Sequence, residues 1–308
     1  MNILITGGAG FQGTHLAQKM RSLGHDVTVL NTLTPQASGN EQYLEGCHIL
    51  WGSVTDAEVT EKAMRGKTLV FHLGARVNVD ESIAHPWETF EVNVRGTYNV
   101  LEAVKKTGTR MILTSSCEVY GLPEHAPVPE NAELRPMSPY AASKAAADRL
   151  CFAYAQTYKV PVTIARFFNI FGERQKEGAF GAVIPIFVGR ALAGKPITVF
   201  GTGEQTRDYI YISDVIRAYE MLLNHPELRG EVVNFGSGKA TRIKDIAEYV
   251  AKKLNGKVVY ADARPGEASN MIADSSKAKR LLGWEPKVNI FEGIDRYIEW
   301  RQHYESTK

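Results

Sequence analysis

Tyr140 and Lys144 are the residues whose types and spacing most directly suggest chemistry. They stand four positions apart in residues 140–154, an Ala-rich segment without internal Pro or Gly. Such a segment is expected to form a helix with both side chains on one face. An ammonium beside a phenol favours the phenolate and lowers the pKa of the tyrosine, so Tyr140 is a candidate general base. Two polar residues on a solvated helix face would show the same spacing, so the motif needs support from elsewhere.

A glycine-rich turn near the N-terminus supplies that support. Gly7, Gly10 and Gly13 follow the apolar run 2–6, which is typical of a strand buried on both faces, and precede a helical segment at residues 15–20. In a strand–turn–helix unit, glycines let the backbone approach a pyrophosphate, and the helix N-terminus supplies N–H donors. The alternative is an ordinary glycine-rich turn, which the flanking strand and helix make less favoured.

The second predicted strand, residues 26–30, ends at Asn31. An acidic residue usually holds the adenosine ribose at this position, and Asn31 can still hydrogen-bond a ribose hydroxyl without a charge. Residues 22–61 contain no Lys or Arg, one of which the 2′-phosphate of NADP would require. The sequence therefore predicts NAD in preference to NADP.

Strands and helices alternate along the first half of the chain. Further predicted strands occupy residues 48–51, 69–73, 111–116 and 162–167, and predicted helices occupy residues 56–64, 89–106 and 140–158. This alternation predicts an α/β fold with a doubly wound parallel sheet. Residues 74–76 and 116–118 follow strands directly, so both segments are expected at the ligand-binding edge of that sheet.

The alternation changes after residue 168. Residues 1–168, joined by residues 207–240, are predicted to form the sheet domain. Residues 169–206 and 241–308 are predicted to form a smaller interleaved C-terminal lobe.

The composition is that of an ordinary globular protein. The 308 residues are 44% hydrophobic and 23% charged with a net charge of +2, which gives no argument for a nucleic-acid or membrane partner. The cysteines Cys47, Cys117 and Cys151 suit a reducing compartment and predict neither a disulfide framework nor a metal site. No signal peptide and no apolar run of membrane-spanning length is recognised. We therefore expect a soluble cytoplasmic protein.

Taken together, the motifs resemble those of the extended short-chain dehydrogenase/reductase family, specifically its nucleotide-sugar epimerases and dehydratases. The matching segments follow one another along nearly the whole chain, at residues 6–13, 72–75, 93–97, 115–121, 139–144, 166–169, 207–214, 234–238 and 264–267. The resemblance implies a Rossmann-type domain that holds NAD, a lobe that holds a nucleoside-diphosphate sugar, and a homodimer built on residues 89–106 and 140–158.

The resemblance also implies roles for individual residues. Tyr140 would take the proton from the sugar 4-hydroxyl, Lys144 would orient the nicotinamide ribose and keep Tyr140 acidic, and Ser116 would hydrogen-bond the sugar oxygen. The implied cofactor-binding residues are Gly7, Gly10, Phe11, Gln12, Gly13, Asn31, Ser53, Val54, Leu73, Gly74, Ala75, Asn93, Tyr140, Lys144 and Phe167. The implied substrate-binding residues are Arg76, Asn169, Arg207, Arg264 and Glu267. Two arginines suit a pyrophosphate, although each could instead form a surface ion pair.

Three residues depart from the family pattern near the expected cofactor. Gln12 replaces an apolar residue, Asn31 replaces an Asp, and Ser53 stands where an Asp is common near the adenine. These departures concern the detail of adenosine binding.

Cys117 and Glu118 bear on the reaction. Simple 4-epimerases usually have small, non-acidic residues here, 4,6-dehydratases have Asp-Glu and decarboxylases Ser-Glu, whereas Cys-Glu resembles 5,6-dehydratases of amino-sugar nucleotides. A 4-keto sugar has an acidified C5 proton, so Glu118 is a candidate base at C5, and Cys117 a candidate proton donor or acceptor at C5 or C6. This predicts dehydration or C5 epimerisation.

Several alternatives stay open. Cys117 could be a small buried filler with Glu118 pointing elsewhere. The protein could be a simple 4-epimerase resembling UDP-glucose 4-epimerase, an NADP-linked ketosugar reductase, or an inactive NAD-binding regulator.

Overall fold

The computed structural model describes residues 1–32, 40–176, 183–263 and 271–306. The strands are β1 Asn2–Thr6, β2 Asp26–Asn31, β3 His48–Trp51, β4 Leu69–His72, β5 Arg110–Ser116, β6 Val162–Phe167, β7 Asn169–Phe171, β8 Ile197–Phe200, β9 Thr206–Arg207, β10 Tyr209–Tyr211, β11 Val232–Phe235, β12 Thr241–Arg242 and β13 Val258–Ala261. The helices are α1 Phe11–Ser22, α2 Ala57–Met64, α3 Val79–Ala84, α4 Pro86–Phe90, α5 Gly96–Thr107, α6 Pro139–Tyr158, α7 Val183–Leu192, α8 Ile212–Leu223, α9 Ile243–Leu254, α10 Ser276–Leu282 and α11 Ile290–Ser306.

The central sheet has seven strands in the order β11-β6-β5-β4-β1-β2-β3, and all neighbouring strands are parallel. The chain winds outward in opposite directions from β1, so the strand order reverses between β1 and β4. Ligands of such sheets bind outside the carboxyl ends of the strands at this switch point. The predicted α/β, doubly wound parallel fold is confirmed.

Alternate residues of the central strands serve two cores. Ile3 and Ile5 of β1 pack in a cluster that includes α1, α8 and the lobe helices α7 and α9. Leu4 between them packs in a second cluster with α2, α5 and α6. This arrangement explains why the strands are continuously apolar, since a parallel sheet covered by helices buries both faces.

The second half of the chain forms three small two-stranded sheets. β8 and β13 are parallel, as are β7 and β10, whereas β9 and β12 are antiparallel. The lobe helices α7 and α9 share one hydrophobic cluster with the face of the sheet that α8 covers. The boundaries between sheet domain and lobe stay a prediction.

The predicted helix at residues 89–106 is interrupted in the structure. α4 ends at Phe90, a π-helical turn occupies Glu91–Arg95, and α5 begins at Gly96. Asn93 lies in this turn and is almost fully buried. A π-helical turn of this kind is frequently found at a functional site.

Helix α6 begins at Pro139, and its N-terminus has two stabilising features. Ser138 precedes the helix and accepts a hydrogen bond from the Ala141 N–H at 3.1 Å, and Pro139 occupies the first turn, where its missing N–H costs nothing. The buried face of α6 includes Tyr140, Lys144 and Asp148. Within the described residues, none of the helices is both long and apolar enough to span a membrane.

Candidate active site

The glycine-rich turn between β1 and α1 leaves no room for side chains. A Cβ on Gly7, where φ is +69°, would lie 2.8 Å from the Gly74 nitrogen, and one on Gly13 would lie 2.4 Å from the Gly7 oxygen. Gly10 precedes α1, with its nearest such contact at 3.2 Å, and Phe11 begins the helix. Bare backbone at a helix N-terminus on the carboxyl edge of a parallel sheet fits a dinucleotide pyrophosphate.

Asn31 and Gln12 have partners that account for their presence. Asn31 ends β2, and its Oδ1 accepts a hydrogen bond from the Ala9 N–H at 3.3 Å, which ties that strand to the glycine turn. Gln12 Oε1 accepts a hydrogen bond from the buried Tyr219 hydroxyl at 3.2 Å. That hydroxyl also lies 2.6 Å from Thr114 Oγ1. A buried phenol needs a hydrogen-bond acceptor, which explains a polar residue at position 12.

Ser53 and Val54 lie between β3 and α2, next to the predicted adenosine end. The Ser53 hydroxyl lies 2.7 Å from Thr55 Oγ1, so it organises the start of α2. Val54 is buried, and its carbonyl accepts a hydrogen bond from Asn99 Nδ2 at 2.9 Å. The adenosine roles of Ser53 and Val54 stay predictions.

The segment after β4 is held by a buried asparagine. Asn93 Oδ1 accepts from the Arg76 N–H at 2.7 Å, and Asn93 Nδ2 donates to the Arg76 carbonyl at 3.0 Å and to Ser143 Oγ at 2.8 Å. Leu73, Gly74 and Ala75 precede Arg76, whose guanidinium lies 3.4 Å from Glu81. The Asn93 side chain thus positions this segment by bonding to the backbone of Arg76. Its amide does not point into open space.

Ser116, Tyr140 and Lys144 converge as predicted. Ser116 ends β5, and its hydroxyl is near enough to the Tyr140 phenol to lower the pKa of that phenol. Lys144 Nζ donates to the Thr114 carbonyl at 2.6 Å. Tyr140 and Lys144 are both buried, with 9% and 7% of their surfaces exposed.

The predicted effect of Lys144 on Tyr140 is wrong in this structure. Burial raises the pKa of Tyr140, the Ser116 hydroxyl lowers it, and the Glu118 carboxylate raises it further. Burial also lowers the pKa of Lys144 to about 8, against the opposing effect of Asp148. Desolvation dominates both shifts because both groups are inside the protein, where the charged form of either is disfavoured.

Cys117 and Glu118 form the start of the 3-10 helix Cys117–Tyr120. The Cys117 side chain packs in an apolar cluster with Val119 and Phe168, and burial raises its pKa well above the usual value. The thiol therefore stays protonated, which favours the alternative that Cys117 is a buried filler. Burial also raises the pKa of Glu118, and Arg207 opposes this shift.

Asn169 begins β7, and Arg207 ends β9. Asn169 Nδ2 donates to the Asp208 carbonyl at 2.9 Å. The Arg207 guanidinium is close enough to lower the pKa of both Glu118 and Cys117, so the structure places it beside the candidate catalytic residues. Arg264 and Glu267 lie outside the described residues.

Phe167, predicted beside the cofactor, stacks on Phe235 with ring centroids 5.1 Å apart.

Buried polar residues around the site were not predicted. One of them is Arg166, which forms a fully buried ion pair with Asp148. The signals were an arginine inside an apolar strand and a carboxylate four residues after Lys144 on the same helix face.

Asp208 and His72 are further buried polar residues near this edge. Asp208 accepts hydrogen bonds from the backbone N–H groups of Ser237, Gly238 and Ala273 at 2.7, 2.9 and 3.0 Å, which ties three segments together. Burial lowers the pKa of His72 to about 3, so its neutral ring links Thr6 and Thr97. Neither residue has a sequence signal that separates it from an ordinary buried polar group.

Known proteins and a family model match this chain over nearly its whole length. Residues 4–297 match the model of the family described as GDP-mannose 4,6 dehydratase. A protein of Methanocaldococcus jannaschii, named as a candidate UDP-glucose 4-epimerase, is 34% identical over 99% of this chain and 100% of its own length. UDP-glucuronic acid decarboxylase 1 of Xenopus tropicalis is 33% identical over 97% of this chain and 71% of its own length.

Solved structures of two different enzyme types superpose equally well. UDP-glucose 4-epimerase of Thermotoga maritima, solved with UDP-glucose, has a TM-score of 0.92 at 32% identity, over 99% of this chain and 100% of that one. dTDP-glucose 4,6-dehydratase of Streptomyces venezuelae, solved with NAD bound, has a TM-score of 0.92 at 30% identity, over 100% of this chain and 98% of that one. Overall similarity therefore does not separate epimerase from dehydratase.

Proposed function

Because this chain belongs to the extended short-chain dehydrogenase/reductase family of NAD-dependent nucleotide-sugar epimerases and dehydratases, we propose that it transforms a nucleoside-diphosphate sugar through a transient 4-keto sugar. We further propose that Glu118 removes the C5 proton of that intermediate. The observation behind this second step is the place of Glu118 directly after β5, where its backbone N–H donates to Ser116 Oγ at 3.2 Å.

The cofactor would be held by the glycine turn and by the ends of β2, β4 and β6. NAD, when bound, accepts a hydride from C4 of the sugar and so supplies the oxidising power. The lack of Lys or Arg in residues 22–61 supports NAD in preference to NADP.

Tyr140 and Ser116 would act on the sugar 4-hydroxyl. Tyr140 takes the proton as general base, and Ser116, whose hydroxyl acts on the pKa of the phenol, fixes the position of the sugar oxygen. Because burial raises the pKa of Tyr140, proton removal would depend on the positive charge of the bound cofactor. Lys144 is given the role of orienting the nicotinamide ribose.

Glu118 would act at the next carbon. A C4 ketone acidifies the C5 proton, and a carboxylate with a raised pKa is a stronger base than an exposed one. Removal of this proton gives dehydration when a leaving group departs from C6. Reprotonation on the opposite face gives C5 epimerisation instead.

The substrate's nucleotide would lie between the sheet edge and the lobe. Arg207 and Asn169, with Arg76 and, outside the described residues, Arg264 and Glu267, are proposed to bind it. Guanidinium groups suit the pyrophosphate because they match the geometry of its oxygens.

Simple 4-epimerisation is the second candidate. The relative with 34% identity is named as a candidate UDP-glucose 4-epimerase, which favours it. Glu118 would then have no role in the reaction, because C5 is not touched when hydride returns to C4.

Product analysis tests the proposal. The protein is incubated with UDP-glucose, UDP-N-acetylglucosamine, UDP-glucuronic acid and dTDP-glucose, and products are identified by NMR. We expect conversion of at least one sugar at C4, C5 or C6, and Tyr140→Phe should lower turnover by about 10²-fold or more. No conversion of any sugar, or full turnover by Tyr140→Phe, would contradict it.

A further inference from the structure

A buried ion pair lies directly behind the candidate catalytic residues. Asp148 of α6 and Arg166 of β6 are 0% and 1% exposed. Arg166 Nε donates to Asp148 Oδ2 at 2.8 Å, and Arg166 Nη2 donates to Oδ1 at 2.9 Å. Ser115 Oγ also donates to Asp148 Oδ2, at 2.7 Å. The pair thus joins three elements of the sheet domain, α6, β5 and β6.

The other side of Arg166 continues the hydrogen-bond network. Arg166 Nη1 donates to the Tyr120 hydroxyl at 2.8 Å and to the Glu130 carbonyl at 3.0 Å. The Tyr120 hydroxyl donates in turn to Asn234 Oδ1 of β11 at 2.8 Å. Arg166, Tyr120 and Asn234 are buried, and Glu130 is half-buried.

Stability alone does not account for this pair. Two charges that leave water lose several kcal/mol of solvation each, and well-packed apolar residues of similar volume are often as stable or more stable. A buried pair is therefore better explained by something else that it does. Here Asp148 and Arg166 bond to residues that are close in sequence to those with proposed catalytic roles.

The residues bonded to the pair are close in sequence to Ser116 and Glu118, and Asp148 shares a helix face with Lys144. Ser115 precedes Ser116, Tyr120 closes the 3-10 turn that contains Glu118, and Asp148 lies one helical turn after Lys144. A displacement of Arg166 or Asp148 would therefore move three groups relative to one another. Misplacement by about 1 Å is enough to cost a large part of the rate of an enzyme.

We propose that the Asp148–Arg166 pair is a positioning pair, which fixes Ser116, Glu118 and Lys144 relative to one another and keeps Lys144 charged for cofactor binding. The inference rests on the proposed function, because it assigns Lys144 to the nicotinamide ribose.

The surroundings of Lys144 explain the electrostatic part. The groups whose charges act on Lys144 are Asp148 and Cys151 of α6, and Lys144 in turn acts on His72 of β4. Arg149 of α6 and Arg166 of β6 both pair with Asp148. Burial lowers the pKa of Lys144 to about 8, and Asp148 opposes that shift. Removal of the Asp148 charge should lower the pKa of Lys144 further, so that the ammonium is lost at a lower pH.

The test measures NAD affinity by calorimetry on the cofactor-free protein. Asp148→Asn should bind NAD about fivefold more weakly than wild type at about pH 8 if the pKa of Lys144 falls by about one unit, and less than about twofold more weakly at about pH 6. The matched control is Asp214→Asn, which removes another buried, arginine-paired carboxylate, located on α8 away from the site. It should lower the melting temperature but leave NAD affinity within about twofold of wild type at both pH values.

A second variant separates positioning from folding. Asp148→Asn/Arg166→Gln removes both charges of the pair, so Arg166 is not left buried without its carboxylate and the protein should fold. We expect the pH-dependent deficit in NAD affinity to persist in this variant. Wild-type affinity in the double variant, failure of that variant to fold, or a deficit that is the same at both pH values would overturn the inference. If wild-type protein binds no NAD, the proposed function itself fails.

Discussion

At the scale of single residues, the identity of the residues in the site was easier to predict than their pKa values. The spacing of Tyr140 and Lys144 and the place of Ser116 at a strand end were enough to bring these three side chains together. The pKa values were not predictable, because they depend on how much water surrounds each group. Burial raises the pKa of Tyr140 and lowers that of Lys144 to about 8, and burial is a property of the tertiary structure.

Lys144 should impose a pH limit on cofactor binding. Its pKa in the folded protein, about 8, is below the usual value of 10.5, so the folded state releases this proton first as pH rises. NAD affinity should therefore fall above about pH 8, while the contribution of Lys144 to stability becomes more favourable between about pH 8 and 10.5. Calorimetry and melting curves over this range check both signs.

Lys144→Met is the control for this prediction. It should bind NAD weakly, with an affinity that hardly changes across the same pH range. A decline above about pH 8 that persists in Lys144→Met would assign the limit to another group.

At the scale of elements, the buried strands were predicted to within one or two residues because they are continuously apolar. β3 and β6 have the predicted bounds. The π-helical turn Glu91–Arg95 was not predicted, because its sequence continues the periodicity of a regular helix. Helix α8 was also not predicted, although its apolar face packs against the sheet.

The glycine turn yields a prediction that separates binding from folding. A Cβ added at Gly10 would lie 3.2 Å from the Gly7 oxygen. A Cβ added at Gly13 would lie 2.4 Å from the same oxygen and 2.5 Å from the Gly8 Cα. Gly13→Ala should therefore destabilise the protein by about 1–3 kcal/mol, and Gly10→Ala by less. Gly10→Val should weaken NAD binding while most of the stability is kept. Denaturant melts and calorimetry measure the two effects, and unchanged NAD affinity in Gly10→Val would contradict the role of the turn.

The end of β2 should decide between the two dinucleotides. Asn31 ends this strand and Thr32 follows it, and residues 22–61 contain no basic side chain that could bind a 2′-phosphate. NAD should bind at least about tenfold more tightly than NADP, and Thr32→Arg should reduce this ratio. Direct titration with both cofactors checks it. Tighter binding of NADP by wild type would show that a basic residue from elsewhere serves the phosphate.

At the scale of the whole molecule, the doubly wound order of the sheet followed from the alternation of strands and helices. The three small sheets of the second half did not, since strands of two to four residues are too short to show a periodic pattern. The lobe was therefore predicted as a region and not as an architecture.

The helices on one side of the molecule support the prediction of a homodimer. Tyr98 of α5 and Phe152 and Tyr158 of α6 are 46%, 36% and 53% exposed, and Trp87 of α4 is 74% exposed. Apolar surface of this extent on neighbouring helices is typical of a protein interface. Light scattering at micromolar concentration should give twice the mass of the chain. Tyr98→Glu/Phe152→Glu should give a monomer, whereas Tyr260→Glu, at a similarly exposed position of β13, should not.

The central claim, that Glu118 removes the C5 proton of a 4-keto sugar, is tested most directly by hydrogen exchange. The protein is incubated in deuterium oxide with the nucleotide sugar that it converts, and the product is examined by NMR and mass spectrometry. We predict deuterium at C5 with wild type, and with Glu118→Gln no C5 label and at least about 10²-fold slower turnover, while oxidation at C4 stays detectable in a single turnover. A wild-type product without deuterium at C5, or a Glu118→Gln variant that exchanges C5 at the wild-type rate, would contradict the account.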